Sequence, residues 1–168
     1  MTRTNAGVLT RVRENRIATA TVAFIGYSLV MLRLESRMRA AGGPGIIPFE
    51  LAGSAAKAED IMERWGEDGR QAARRSMWLD FGYMSTYGTL LALLIDRRRS
   101  IRQHPAWLPS LAVAAVAGDA VEGVSLIRVL DRRDIALNAR RAQIAAVIKF
   151  GFTAVGLGYV MWPRARRG

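Results

Sequence analysis

The chain has 168 residues, a net charge of +11, one histidine, no cysteine and 51% hydrophobic residues. That composition excludes a disordered chain, a collagen-like repeat and a disulfide-stapled secreted domain. It also excludes thiol chemistry, any Cys-based metal centre and a multi-His one. Of the 25 basic residues only Lys57 and Lys149 are lysine. The arginines gather at the ends of apolar blocks instead of along one stripe, a pattern that argues for membrane-flanking loops and against a nucleic-acid surface.

The first apolar block, residues 17–34, carries no charge before Arg33 and follows Arg11, Arg13 and Arg16. It is close to the minimum of about 17 residues for a crossing helix. Its basic start would suit a signal peptide, but Ser36, Arg37, Met38, Arg39 and Ala40 form a poor cleavage region, so the block reads as an uncleaved span.

The connection over residues 35–76 divides in two. Residues 41–45 (AGGPG) form a flexible turn, and Pro48 opens a short interfacial segment through Phe49, Glu50 and Leu51. Ser54 then resembles an N-cap for a helix over 54–65, and Gly66 suits its stop. Ala58, Ile61, Met62 and Trp65 share one face of that helix. The expectation is an amphipathic helix that lies on the membrane surface or caps the bundle, with a partner-binding face as the alternative. A fresh start near Asp68 or Gly69 leads into the next block.

Three more spans are expected at residues 77–95, 107–130 and 142–162. Trp78, Trp107 and Trp162 stand at block ends, where indoles favour the headgroup region, and Pro105, Pro109 and Pro163 punctuate the helices. Arginines follow the second block (Arg97, Arg98, Arg99, Arg102) and the last (Arg164, Arg166, Arg167). With four spans both termini share a side, whose segments hold 11 basic residues in 32 against 12 in 55 opposite. The denser side is expected to be the cytoplasm of a cell (bacterial inner) membrane. The fold class expected is therefore all-α: one integral membrane domain over residues 1–168, a four-helix bundle with a short surface helix between its first two spans.

Ionisable groups inside these blocks need a destination, because each costs roughly 2.5–3.5 kcal/mol at the centre of a crossing helix. At about 1.5 Å per residue, Asp80 and Arg128 lie near one surface, while Glu122 and Lys149 lie deeper at matching heights. Asp119 sits roughly 16 Å in, near the midplane. Two ion pairs are expected, Asp80 with Arg128 and Glu122 with Lys149. Asp119 is left without an obvious cation unless Lys149 bridges both acids. Asp80, Tyr83 and Tyr87 recur at helical spacing, and Asp119 and Glu122 share a face. These groups are expected to line a polar interior.

Two functions follow. In the first, Asp80, Tyr83, Tyr87, Asp119, Glu122 and Lys149 line a pocket that binds or processes a small amphipathic or lipid-like molecule. In the second, the charges are structural ion pairs in an accessory subunit of a larger membrane complex or homo-oligomer. Proton-coupled transport is a third reading, weakened by the small number of spans and the lack of an internal repeat. A metal held by the acids is not expected, since Lys149 competes for them. No cofactor motif is present: no phosphate loop, no HExxH, no Gly-x-Ser-x-Gly. Small residues at Ala114, Gly118, Ala154 and Gly158 have close-packing spacing. Gly118 and Gly123 have room for either a ligand or a neighbouring helix.

The run GIIPFELAGSAAKAEDIMERWG, then LDFGYMSTYG and GDAVEG, resembles a group of small bacterial four-span membrane proteins, over most of the chain from about residue 46. That resemblance implies the four-span fold and carries no chemistry. Four helices around buried acids are also similar, in architecture alone, to the sterol-isomerase and sigma-2 receptor group; no motif moves catalytic residues from it to this chain.

Overall fold

The computed structural model describes residues 3–163, with side chains from Glu14 onward. Five helices follow in order: α1 (Arg3–Ala40), α2 (Ile46–Glu50), α3 (Ala55–Arg102), α4 (Ser110–Leu130) and α5 (Ile135–Met161). Among the described residues there is no strand. Arg164, Arg166 and Arg167 lie outside the described residues, and Arg11 and Arg13 precede the first described side chain.

Among the described residues three helices are long and apolar enough to cross a membrane, over Glu14–Ala40, Ser110–Leu130 and Ile135–Met161. Their outward faces carry exposed Val22, Ile25 and Leu29 on α1, Val113 and Val121 on α4, and Val147 and Val155 on α5. Water disfavours apolar patches of this extent, whereas hydrocarbon accepts them. Trp78, Trp107 and Trp162 are all exposed. Residues 77–95 are helical within α3 but do not match the apolarity of the other three. The reason is position: α3 is the central helix and packs against every other one, so much of its surface meets protein and can be polar.

The alternation of the helices brings the C-terminal ends of α1 and α4 together with α2 and the N-terminal ends of α3 and α5. Met38, Phe49, Ala58, Trp65, Ala73, Leu126, Val129 and Ala142 form the main buried core there. A smaller core at the opposite end joins Leu91, Ile95 and Ala112 to Leu108, Tyr159 and Val160.

The expected long connection is mostly helix. α1 runs to Ala40, and α3 continues from Ala55 through the second apolar block with one break, at Gly66 (φ 57°, ψ −160°). Its start is as the sequence suggests: Ser54 Oγ accepts from the Lys57 N–H at 3.4 Å.

The face of Ala58, Ile61, Met62 and Trp65 takes the capping placement and corrects the membrane-surface and partner-binding ones. Their exposures are 1%, 7%, 0% and 1%, so neither a membrane surface nor a partner reaches them. The helix caps the bundle, with its apolar face turned into the chain's own core. Trp65 anchors it: Nε1 donates to Pro44 O at 2.6 Å, and the indole packs on Phe49 with ring centroids 4.9 Å apart.

Candidate functional site

The end core positions a group of charges just inside it. Asp119 and Glu122, three residues apart on α4, face α5. Gly118 lets α5 come close, for a Cβ there would sit 3.2 Å from Ala145 O and 3.3 Å from Lys149 N. Gly123 instead faces the Phe81 side chain. Lys149 therefore reaches across α4, with Nζ 2.7 Å from Glu122 Oε2 and 3.1 Å from Asp119 Oδ1. It also donates to Glu50 Oε2 at 3.4 Å. One lysine thus bridges three carboxylates, all buried with it.

Glu50 was not expected here. Gly42 and Gly53, both with positive φ, turn the chain on either side of α2 so that Phe49 and Glu50 point inward. Burial pushes the Glu50 carboxyl above its usual range, and the charge of Lys149 acts in the opposite direction. A carboxylate in the apolar run IIPFEL, in a segment too short to cross, was the available signal: an acid buried there needs a cation nearby.

On the other side of Asp119, Tyr87 donates its hydroxyl to Oδ2 at 2.6 Å. Tyr83 does not touch the acids. Its hydroxyl accepts from Ser28 on α1 at 3.2 Å, its ring stacks on Phe24 at 5.7 Å, and Tyr87 meets it edge-on at 5.8 Å. The tyrosines tie α1 to the acid cluster through α3.

The expected Asp80–Arg128 pair is not formed among the described residues. Arg128 is exposed, whereas Asp80 faces inward onto the cavity that Asp119 also lines. Arg128 follows Asp119 by nine residues, about 900° of helical turn and so the opposite face of α4. Matching depth alone could not show this. Ala154 and Gly158 are exposed on α5, and a Cβ on Gly158 would meet nothing within 4 Å among the described residues.

These groups sit at one side of a cavity of about 600 Å³. Its walls are mostly apolar, including Met31, Met77, Leu90, Leu91, Leu94 and Leu157. Its charged groups are Glu35, Glu50, Asp80, Asp119 and Lys149, with Ser28, Ser76, Tyr83, Tyr87 and Thr153 as further polar lining, while Glu122 is not part of the lining. Leu32 (62%), Phe150 (40%) and Leu157 (44%) line it while remaining exposed. They belong to α1 and α5, which flank the cavity with little contact between them. The cavity therefore has a mouth on the side of the bundle. No group of three or more His, Cys, Asp or Glu side chains suited to a metal ion occurs among the described residues.

Compared with protein-family models, curated proteins and solved structures, the chain has no match.

Proposed function

We propose that this chain is a multi-pass membrane protein whose side-opening cavity binds a small amphipathic or lipid-like molecule. Asp119, Lys149, Asp80 and Glu50 are its polar anchors, Glu122 holds Lys149 from outside the lining, and Tyr83 and Tyr87 are part of its wall. The observation that carries this reading is the pairing of a cavity of about 600 Å³, apolar over most of its lining, with acids and a lysine concentrated at one side of it. That volume lies within the range of small-molecule sites, and an apolar pocket with a few convergent polar groups is their usual form. The mouth between α1 and α5 lies on exposed apolar faces, so a bilayer-dissolved molecule would reach it without crossing water.

In this reading residues 77–95 form a fourth crossing, because they join the same two end cores as α4 and α5. Both termini lie in the cytoplasm, on the strength of the arginine densities. The accessory-subunit alternative loses its main surface, since the apolar face of residues 54–65 is turned inward.

The test is to purify the protein in mild detergent and search for a co-purifying molecule by native mass spectrometry, comparing wild type with Asp119→Asn. The expected result is an amphiphile retained by wild type and reduced in the variant. Recovery of no molecule, together with unchanged thermal stability in Asp119→Asn, would reject the reading.

A further inference from the structure

Four carboxyl groups, Glu50, Asp80, Asp119 and Glu122, share one buried neighbourhood with a single cation, Lys149. Lys149 is committed to three of them and turned away from none. Asp80 forms no ion pair among the described residues, and it lines the cavity together with Asp119. Asp119 has to share its cation with Glu50 and Glu122. It is 2% exposed, its Oδ2 accepts from Tyr87, and its Oδ1 lies 3.1 Å from Lys149 Nζ. Asp80, which forms no ion pair among the described residues, and Asp119, which shares Lys149 with two other acids, therefore face the same cavity.

Neighbouring acids in a low-dielectric site either hold a proton between them or take up a cation, since both cannot ionise at little cost. The cavity decides which sort of cation fits. Beyond the acids it becomes wholly apolar along α3 through Leu90, Leu91 and Leu94, and on α5 through Leu157. From Asp80 to Leu94 is 14 residues of helix, roughly 21 Å. A small hydrated ion would leave that length unfilled. A protonated amine on an aliphatic chain would satisfy both parts at once, with its N–H groups donating to carboxylates and its tail against leucines.

We infer that the cavity selects cationic amphiphiles: an alkyl amine enters tail and head together through the α1–α5 mouth and sets its ammonium between Asp80 and Asp119. This inference rests on the proposed binding function and adds the charge of the headgroup to it. The nitrogen adds a second cation to a cluster that has one for four acids. Charge-assisted N–H···O bonds are about twice as strong as neutral ones, and stronger still where water is excluded. A fatty acid would bring a fifth carboxylate, and a neutral alcohol would leave the charge imbalance in place.

The experiment incorporates the full chain into nanodiscs of a neutral phosphatidylcholine and measures binding of labelled dodecylamine, dodecanol and dodecanoate, each corrected with empty nanodiscs. Dodecylamine is expected to bind at least about tenfold more tightly than either competitor, a difference of about 1.4 kcal/mol. Asp80→Asn is expected to remove most of that preference while retaining dodecanol binding. Leu94→Trp, which fills the apolar arm and leaves every acid in place, is expected to weaken the amine and the alcohol alike. Equal binding of amine and alcohol, or a preference for the carboxylate, would overturn the cationic assignment and leave the pocket reading standing. Failure of all three to bind would remove both. If Asp80→Asn does not fold, the headgroup ranking in wild type still decides.

Discussion

Gly118 lies against the backbone of Lys149: a Cβ on Gly118 would come 3.3 Å from Lys149 N and 3.5 Å from its Cα. The contact sets how closely α4 and α5 approach, and so whether one ammonium can touch acids on the facing helix. Gly118→Val should force the helices apart and lower stability by about 1–3 kcal/mol, the usual cost of overpacking. Gly123→Ala is the control, because its Cβ would meet Phe81 Cζ at an ordinary 3.6 Å and alanine favours the helix by up to about 1 kcal/mol. Reversible unfolding in bicelles should separate the two; equal losses would show that the close approach does not matter.

Height along the helices was legible from the sequence, and direction around them only in part. Counting residues from the block ends places Glu122 beside Lys149 and Tyr87 beside Asp119, and these groups are 2.7 Å and 2.6 Å apart. The same count pairs Asp80 with Arg128, which faces away, because depth says nothing about azimuth until a helix is rotated into its bundle. Glu50 was illegible for a different reason. Its place beside Lys149 comes from two positive-φ glycines folding a short helix back onto α3 and α5, a tertiary event with no period to read. The apolar face ending at Trp65 was visible as a pattern, but periodicity cannot distinguish a face that meets lipid from one that meets the chain's own core.

The difference between Lys149 and Arg128 gives a direct comparison of two basic residues on adjacent helices. Lys149→Met strands three buried carboxylates at once. Removing one partner of a buried pair costs about 3–5 kcal/mol, and the loss here should reach at least the top of that range. Adding Glu122→Gln to Lys149→Met removes one of the stranded charges and should recover part of the loss, a coupling that a double-mutant cycle reads directly. Arg128→Met touches no acid and should change stability by no more than about 0.5 kcal/mol. A large effect at Arg128 would mean that the Asp80–Arg128 pair forms after all.

Trp65 separates a structural face from a docking face. With its indole buried at 1% exposure and its N–H committed to Pro44 O, Trp65→Ala should destabilise the protein by about 3–5 kcal/mol in the absence of any partner. Trp65→Phe keeps the contact with Phe49 but loses the hydrogen bond, and should cost less. Chemical unfolding of purified protein measures both. An alanine variant as stable as wild type would restore the view that this face serves something outside the chain.

The break at Gly66 can be tested against a glycine with equally open surroundings. Neither Gly66 nor Gly151 would bring a Cβ within 4 Å of another residue, so neither substitution creates a clash, and the backbone alone determines the outcome. Gly66 has φ 57° and ψ −160°, a region that side chains other than hydrogen almost never enter, and Gly66→Ala should cost about 1–3 kcal/mol. Gly151 lies in regular helix within α5, where Gly151→Ala should instead stabilise by up to about 1 kcal/mol. Opposite signs at two unobstructed positions would attribute the bend to conformation. If Gly66→Ala were stabilising, the capping segment would be a straight continuation of α3, and Trp65 could not then reach both Pro44 and Phe49 in its present place.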